Sequence, residues 1–470
     1  MIARRWKVTA VVSAAAFMAA LDLFIVNVAF PALREDFSGV GVSELSWVLN
    51  GYAIVFAALL VPAGRFADLI GRKRCFLLGL LIFVAASVAC AVAPSVGVLV
   101  AGRVLQAAGA AFLVPTSLGL LLAEFPPHER ATAVGVWAAV GGIAAASGPV
   151  IGGLLVQASW RWIFLVNVPV GVAALVVGVR LLSEIKDPAG GRIPDLLGAA
   201  ALMGGVASLT VAIVYLPDWG LASVRTVGSL AVGVALLAVV LHRSRRHPVP
   251  MIEFALLRVP SFTVSLLAVW LFYLAFAAML LGSVLFMSGT WHYTALRTGM
   301  AIAPGPLTAA TFAFTSGRIT RHLGQRAVAL LGTGAFAAGC AWFLAFAGSD
   351  PAYVVEFLPG MILVGVGAGL VQPALFAAAA TLPPARAATG SGLLSTARQL
   401  GSAFGVAALV ALLGADQTPD LAAFDRAWGF MVVASLAAAI ACSALKPRTR
   451  TSRGAPAPDP GSEQLATVPG

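Results

Sequence analysis

The chain has 470 residues, of which 60% are hydrophobic and only 10% are charged, and its mean hydropathy is +0.96. A soluble domain is about 45–50% apolar and about 25% charged, so this composition excludes a water-soluble fold and soluble enzymes. Apolar runs of about 20 residues recur, long enough for helices to cross a bilayer, whereas strands of an outer-membrane barrel alternate apolar and polar residues. The sequence therefore predicts an all-α polytopic membrane protein.

The predicted elements are fourteen membrane-spanning helices. In chain order they cover residues 8–30, 46–66, 75–93, 97–121, 132–156, 163–182, 196–216, 224–241, 263–285, 298–318, 327–347, 355–378, 388–413 and 427–445. The first run is about 23 residues long, beyond the roughly 7–15 of a cleavable signal peptide, so we expect it to be retained. Residues 447–470 have almost no apolar side chains and are predicted to form a disordered cytoplasmic tail.

Lysine and arginine are distributed unequally between the two sides of these spans. With the N-terminus inside, 23 of the 30 basic residues lie on the cytoplasmic side and 5 on the other. Basic residues accumulate in cytoplasmic loops, so this asymmetry predicts a cell-membrane protein with both termini in the cytoplasm. The net charge of +11 then reflects topology, and no nucleic-acid partner is expected.

Three local patterns occur twice along the chain. Residues 64–73 resemble 317–326, residues 102–115 resemble 360–373, and residues 131–135 resemble 388–392, at offsets of 253, 258 and 257. This indicates a duplicated six-helix unit, as in transporters built from two parallel halves. The predicted domains are a first half (1–183), an inserted two-helix hairpin with flanking loops (184–258), a second half (259–446) and the tail (447–470).

Several motifs resemble those of the major facilitator superfamily, within it the fourteen-helix drug:proton antiporter branch. They are Gly64–Lys73 after span 2, Leu99–Ala111 in span 4, Ser147–Gly153 in span 5, Leu21–Pro31 in span 1, and Trp160–Pro169 at the start of span 6. The pattern departs from the branch at Phe24 and Ala144, and Arg321 in the second half stands where the first half has Asp68. The resemblance implies a transporter of the major facilitator fold with an exporter motif in span 5.

Asp22 is the only carboxylate deep within a predicted span, and such a group costs at least a few kcal/mol unless it is neutral, paired or hydrated. It lies roughly 12 Å from the outer end of its span, and Arg103 lies roughly 9 Å from the outer end of span 4. The two are possible partners in proton coupling, with access to water and to Arg103 changing between conformations. The alternative is a permanent ion pair that only orients two helices.

Two further motifs have candidate roles. By the resemblance, the loop after span 2 latches one conformation, with Asp68 holding an arginine or a helix N-terminus of the other half; the alternative is solvated cytoplasmic charge. Its residues are Gly64, Arg65, Asp68, Gly71, Arg72 and Lys73. The exporter motif allows span 5 to pack closely and kinks it at its proline, although such packing is common in any membrane helix. Its residues are Gly148, Pro149, Gly152 and Gly153.

Polar and aromatic side chains within spans are candidates for lining a substrate cavity. They are Asn27, Asn50, Gln106, Trp137, Arg398 and Gln399. Arg398 would either face the cavity, where it repels cations or binds an anionic group, or hydrogen-bond to backbone carbonyls. Tryptophans near span ends, such as Trp47, are instead typical interfacial anchors.

The sequence predicts a monomeric, proton-coupled exporter of small amphipathic compounds such as drugs, antibiotics or toxic metabolites. Its expected partners are the small-molecule substrate, protons and the lipid bilayer. There is no phosphate-binding loop and no metal-ligand cluster, and the four cysteines stand singly, so no enzyme activity, ATP-driven pumping, cofactor or metal is expected. The alternatives are a narrow-specificity metabolite exporter, an uptake symporter, a non-transporting receptor or scaffold, and a membrane-embedded transferase.

Overall fold

The computed structural model describes residues 4–126, 129–186, 193–382, 384–414 and 420–445. Within these ranges all regular secondary structure is helical, with no strand. The predicted tail, residues 447–470, lies outside the described residues.

The first part of the chain forms six long helices and two single-turn helices. They are α1 (Arg4–Asp36), α2 (Val42–Leu45), α3 (Trp47–Ile70), α4 (Arg72–Ala91), α5 (Val96–Glu124), α6 (Arg130–Ala158), α7 (Trp162–Leu165) and α8 (Asn167–Leu181). Small residues set the closest packing: a Cβ on Gly109 of α5 would lie 2.7 Å from the carbonyl oxygen of Gly79 on α4. This close approach places the polar side chains of α4 and α5 within reach of each other.

The segment predicted to be an inserted hairpin forms α9 (Leu196–Val214), the single turn α10 (Leu216–Trp219) and α11 (Val224–Arg246). Helix α9 begins at Asp195, whose buried carboxylate accepts a hydrogen bond from Gly198 N at 2.8 Å and one from Arg243 Nη2 at 2.6 Å. Asp195 therefore both caps α9 and holds α11 against it. The Asp195 side chain is fully buried at this end of α9.

The last part of the chain repeats the pattern of long helices. They are α12 (Phe254–Leu257), α13 (Pro260–Gly289), α14 (Ala295–Ile302), α15 (Pro304–Leu323), α16 (Gln325–Phe346), α17 (Tyr353–Glu356), α18 (Leu358–Phe376), the 3₁₀ helix Ala377–Thr381, α19 (Pro384–Leu413) and α20 (Leu421–Ser443). An aromatic cluster centred on Phe286, Phe357 and Trp428 packs α13, α18 and α20 together.

By length and composition, thirteen helices of the described chain are candidates to cross a membrane. The predicted tenth span, residues 298–318, is not among them. It falls on α14 and α15, which are separated at Ala303, and α15 carries hydroxyl side chains at Thr308, Thr311 and Thr315. These polar residues lower the hydropathy of α15, so the count of fourteen stays a prediction.

Helices of the first and last parts meet along two seams. In one, α3 packs against α19, with α9 beside both; in the other, α6 packs against α14 and α15. We call the end of the bundle at which α1 begins the basic end, because it carries Arg4, Arg72 and Arg243. The other end is called the opposite end. We call the region between the two seams the cleft.

Candidate functional site

A buried polar cluster lies inside the first six long helices. Arg103 Nη1 donates to Asp22 Oδ2, forming an ion pair, and to Gln106 Oε1 at 2.5 Å. Gln106 Nε2 donates to Asp22 Oδ1 and to Ser87 Oγ, both at 2.9 Å. Asn167 Nδ2 lies 3.4 Å from Asp22 Oδ1. The structure thus brings Asp22 and Arg103 together, with Gln106 bridging both.

Four helices contribute to this cluster, one or two side chains each. Asp22 comes from α1, Ser87 from α4 and Asn167 from α8, while Arg103 and Gln106 are three residues apart on one face of α5. The side chains of Asp22 and Arg103 are only 0% and 1% exposed. The cluster is therefore a dry junction of four helices in which each charge depends on the others for compensation.

Helix α3 closes the cluster on the side of the cleft. Arg103 Nε donates to the carbonyl oxygen of Val48 at 3.1 Å, and its guanidinium carbon lies 4.2 Å from the ring centroid of Tyr52. The Tyr52 hydroxyl is buried and has no hydrogen-bond partner in the part of the chain that the structure describes. Arg103 is thus held by the Asp22 carboxylate, the Gln106 amide, the Val48 carbonyl and the face of the Tyr52 ring. Protonation of Asp22 would alter the contacts with Asp22 and Gln106.

Sequence reasoning missed Ser87, Asn167 and Tyr52 as members of this cluster. Asn167 lies in the motif at the start of span 6, which was its only signal. Ser87 also donates to the carbonyl of Phe83 within its own helix at 2.8 Å, a bond that any membrane-span serine can form, so its sequence position carried no signal.

The loop after α3 holds its charges within its own half. Gly71 has φ +124°, a conformation that favours glycine, and this turn starts α4. Asp68 Oδ1 accepts a hydrogen bond from Arg72 Nη2 at 3.0 Å, one helical turn later. The sequence predicts a partner for Asp68 in the other half, whereas the structure gives it one in its own half. Lys73 N donates to Glu184 Oε1 at 3.0 Å. Only Arg65 crosses, with Nη2 at 3.3 Å from Thr389 Oγ1.

The glycines of the exporter motif mark two close contacts of α6. A Cβ on Gly148 would lie 2.8 Å from Phe24 Cβ, and one on Gly152 would lie 2.8 Å from Ile25 Cγ1, so both pack α6 on α1. A Cβ on Gly153 would lie 2.5 Å from the carbonyl oxygen of Ala295, on α14. The motif therefore closes the opposite end of the second seam.

The same seam opens toward the basic end. Gly299 of α14 packs on Pro149, where a Cβ would lie 2.1 Å from the proline carbonyl oxygen. Gly142 precedes Pro149 by seven residues and so lies on the same helix face. Nevertheless a Cβ on Gly142, or on Gly317 of α15, would have no atom within 4 Å. At these two glycines α6 and α15 have no close neighbour, in contrast to the tight contacts at Gly153 and Gly299.

The other predicted cavity residues fall into two groups. Asn27 Nδ2 donates to the Leu23 carbonyl at 2.9 Å, which leaves it tied to its own helix. Each of the remaining residues has a buried polar atom that finds no hydrogen-bond partner among the described residues. These atoms are Asn50 Oδ1, Trp137 Nε1, Arg398 Nε and Gln399 Nε2. The structure does not bring these four residues into one hydrogen-bonded cluster.

Arg398 has an aromatic neighbour, Tyr273 of α13. Its guanidinium carbon lies 5.8 Å from the Tyr273 ring centroid. Tyr273 Oη donates in turn to Gln372 Oε1 at 2.9 Å, and Gln372 is exposed. Gln372 itself was missed, because a glutamine next to a proline in an apolar run has no distinguishing pattern.

Comparison with known proteins supports an export family. The chain is 34% identical over 436 residues to a protein of Streptomyces coelicolor named probable actinorhodin transporter, covering 89% of this chain and 75% of that protein. It is 34% identical over 402 residues to multidrug resistance protein Stp of Mycobacterium tuberculosis, covering 85% and 74%. It is 30% identical over 422 residues to the tetracenomycin C resistance and export protein of Streptomyces glaucescens, covering 89% and 78%.

Solved structures show the same fold at low identity. A nucleoside transporter, NupG, aligns with a TM-score of 0.66 at 11% identity, covering 94% of this chain and 99% of that one. A peptide transporter, POT, aligns with a TM-score of 0.64 at 18% identity, covering 92% and 93%. The sequence profile of the Major Facilitator Superfamily matches residues 12–406 and 266–466. With these matches and the packed helical halves, the chain belongs to the Major Facilitator Superfamily.

Proposed function

We propose that this chain is a proton-coupled exporter of small amphipathic compounds, drugs, antibiotics or toxic metabolites, across the cytoplasmic membrane by alternating access. The names of its relatives, antibiotic transport and multidrug resistance, support the export of such compounds. The observation that carries the proton-coupling part is the buried ion pair of Asp22 and Arg103, which is hydrogen-bonded to Gln106 and Asn167, with Ser87 in turn bonded to Gln106.

A buried carboxylate in this setting is the one group of the pair that can take up a proton. Arginine stays charged at any physiological pH, so a proton that enters the cluster goes to Asp22. Protonation removes the charge that Arg103 neutralises and converts one acceptor oxygen of Asp22 into a donor. The helices α1, α4, α5 and α8 must then change their contacts, and this links proton binding to a change of conformation.

The proposal includes the fourteen-span topology with both termini in the cytoplasm and the hairpin α9–α11 as an insertion. The concentration of basic residues at the basic end supports a cytoplasmic location for that end. In this orientation the cleft opens to the cytoplasm between α6 and α15, the side from which an exporter loads. The exporter motif seals the outer end, and the Asp68 loop acts as a latch at the inner end.

The test is transport into inverted membrane vesicles with an imposed pH gradient, using a panel of fluorescent dyes and antibiotics. We expect the wild type to accumulate at least one compound against its gradient. Asp22→Asn should abolish this accumulation. Because it also leaves Arg103 as an unpaired buried charge, which costs about 3–5 kcal/mol, a second variant is needed.

The double variant Asp22→Asn with Arg103→Gln removes both charges and so leaves no unpaired ion. If the pair only orients α1 and α5, this neutral pair of amides should restore proton-driven accumulation. If Asp22 carries the proton, the double variant stays inactive although its protein level recovers. Restored accumulation would therefore refute the coupling role, and a wild type that accumulates no compound would refute the export function.

A further inference from the structure

Arg398 is a charge without a counter-charge in the middle of a helix. It is the fifteenth of the 30 residues of α19, so it lies roughly 21 Å along the helix from Pro384. Among the described residues, no carboxylate forms an ion pair with it. Its Nε is buried and has no hydrogen-bond partner. A cation at this depth normally has a partner, because desolvation without one is costly.

The arginine within a helix of the first half has both a counter-charge and a carbonyl partner. Arg103 is neutralised by Asp22 and also donates to the Val48 carbonyl. Arg398 has neither arrangement: none of the hydrogen bonds described for this residue runs from its guanidinium to a backbone carbonyl, and the Ser402 hydroxyl donates to the Arg398 carbonyl at 3.0 Å. The sequence had left open whether Arg398 binds carbonyls or faces the cavity, and the contacts favour the cavity.

The surroundings of Arg398 supply further polar groups. The Arg398 guanidinium carbon lies 5.8 Å from the Tyr273 ring centroid, and the Tyr273 hydroxyl donates to the exposed Gln372, so these polar groups lead from the partly buried arginine to an exposed side chain. Across the seam, α3 packs on α19, where Thr396 Oγ1 donates to the Ala57 carbonyl at 3.1 Å, and the buried Tyr52 hydroxyl of α3 has no hydrogen-bond partner among the described residues. Asp22, the carboxylate of the buried cluster in the first half, is already paired with Arg103.

We propose that Arg398 is the specificity-determining contact for an anionic group, a carboxylate or a phenolate, on the transported molecule, with the Tyr52 hydroxyl as a second donor from the other half. This inference rests on the proposed function and narrows its substrate class. Among the described residues, the charges well inside the long helices α1, α5 and α19 are Asp22, Arg103 and Arg398, which sum to one net positive charge. An anionic substrate completes the balance, whereas a cation of equal size meets an uncompensated like charge.

The test uses two xanthene dyes of similar size and opposite charge, anionic fluorescein and cationic rhodamine 123. Their binding to the purified full-length protein is measured by fluorescence anisotropy. We expect the wild type to bind fluorescein at least tenfold more tightly than rhodamine 123. Arg398→Gln should weaken fluorescein binding at least tenfold without weakening rhodamine 123 binding, because a charge-assisted hydrogen bond is lost. Arg398→Lys keeps the charge and should retain most of the preference.

A second measurement needs no variant and covers the case in which Arg398→Gln fails to fold. In the wild type, 1-naphthoate should displace bound fluorescein at concentrations at least tenfold lower than 1-naphthamide does. Equal potency of these two competitors would overturn the proposal. So would tighter binding of rhodamine 123, an equal loss of both dyes in Arg398→Gln, or no binding of fluorescein by the wild type. The export function is judged separately, by proton-driven accumulation of any compound in vesicles.

Discussion

Gly153 offers the sharpest test of how the opposite end is sealed. It lies on α6 where this helix meets α14, and its closest neighbours across the seam are backbone atoms. A Cβ at this position would lie 2.5 Å from the Ala295 carbonyl oxygen and 2.8 Å from Leu296 Cα. Backbone cannot rotate away as a side chain does, so Gly153→Ala forces the two helices apart.

The size of the effect follows from the distances. Ordinary contact begins at 3.4 Å, so the carbonyl of Ala295 and the new methyl must separate by about 0.9 Å. Overpacking of this kind costs about 1–3 kcal/mol, and the cost falls only on the conformation in which α6 and α14 touch. The equilibrium between a closed and an open opposite end should therefore shift toward the open form by about 5–150-fold.

The matched control is Gly142→Ala, eleven residues earlier on nearly the same face of α6. A Cβ there would have no atom within 4 Å. Both substitutions add the same methyl and the same gain in helix propensity, so the difference between them isolates the contact with α14. Any shared effect on the stability of α6 cancels in this comparison.

The assay is a distance measurement between spin labels at the opposite end. In a background without native cysteines, Gln157→Cys on α6 and Arg297→Cys on α14 carry the labels; both positions are exposed. We expect Gly153→Ala to increase the long-distance population and Gly142→Ala to leave the wild-type distribution. An unchanged distribution in Gly153→Ala, or an equal change in both variants, would show that the exporter motif does not act as the seal.

Three further predictions address other sites. Asp68→Asn should slow turnover much more than it weakens substrate binding, because Asp68 holds Arg72 at the basic end, away from the cleft; a binding loss with intact turnover would contradict this. Asp195→Ala should lower the thermal midpoint by removing about 2 kcal/mol or more through loss of the α9 cap and the pair with Arg243. The exposed Asp218→Asn should have no such effect, and equal midpoints would refute the structural role. Tyr52→Phe should leave the midpoint unchanged, since the lost hydroxyl has no partner; a marked drop would reveal a partner.

The sequence by itself determined the class of the molecule. Apolar runs of about 20 residues leave no alternative to helices that cross a bilayer, because lipid offers no partner for unpaired backbone groups. The single carboxylate within a span pointed to Asp22 for the same reason: an ion in hydrocarbon is too costly to keep without a use. Motif order along the spans was sufficient to identify the superfamily, which the comparison with its profile confirmed.

Only the tertiary structure decided which polar groups meet. Depth along a helix indicated that Asp22 and Arg103 were possible partners. Ser87 and Asn167 join the same cluster because of the rotation of each helix about its own axis. A hydropathy pattern does not fix that rotation. The partner of Asp68 likewise depends on the turn at Gly71, which directs Arg72 back to its own half. For Arg398 the sequence left two environments open. Contacts between helices that are far apart in the chain depend on how the helices pack. Only this packing distinguishes an arginine bound to carbonyls from one that lacks a counter-charge.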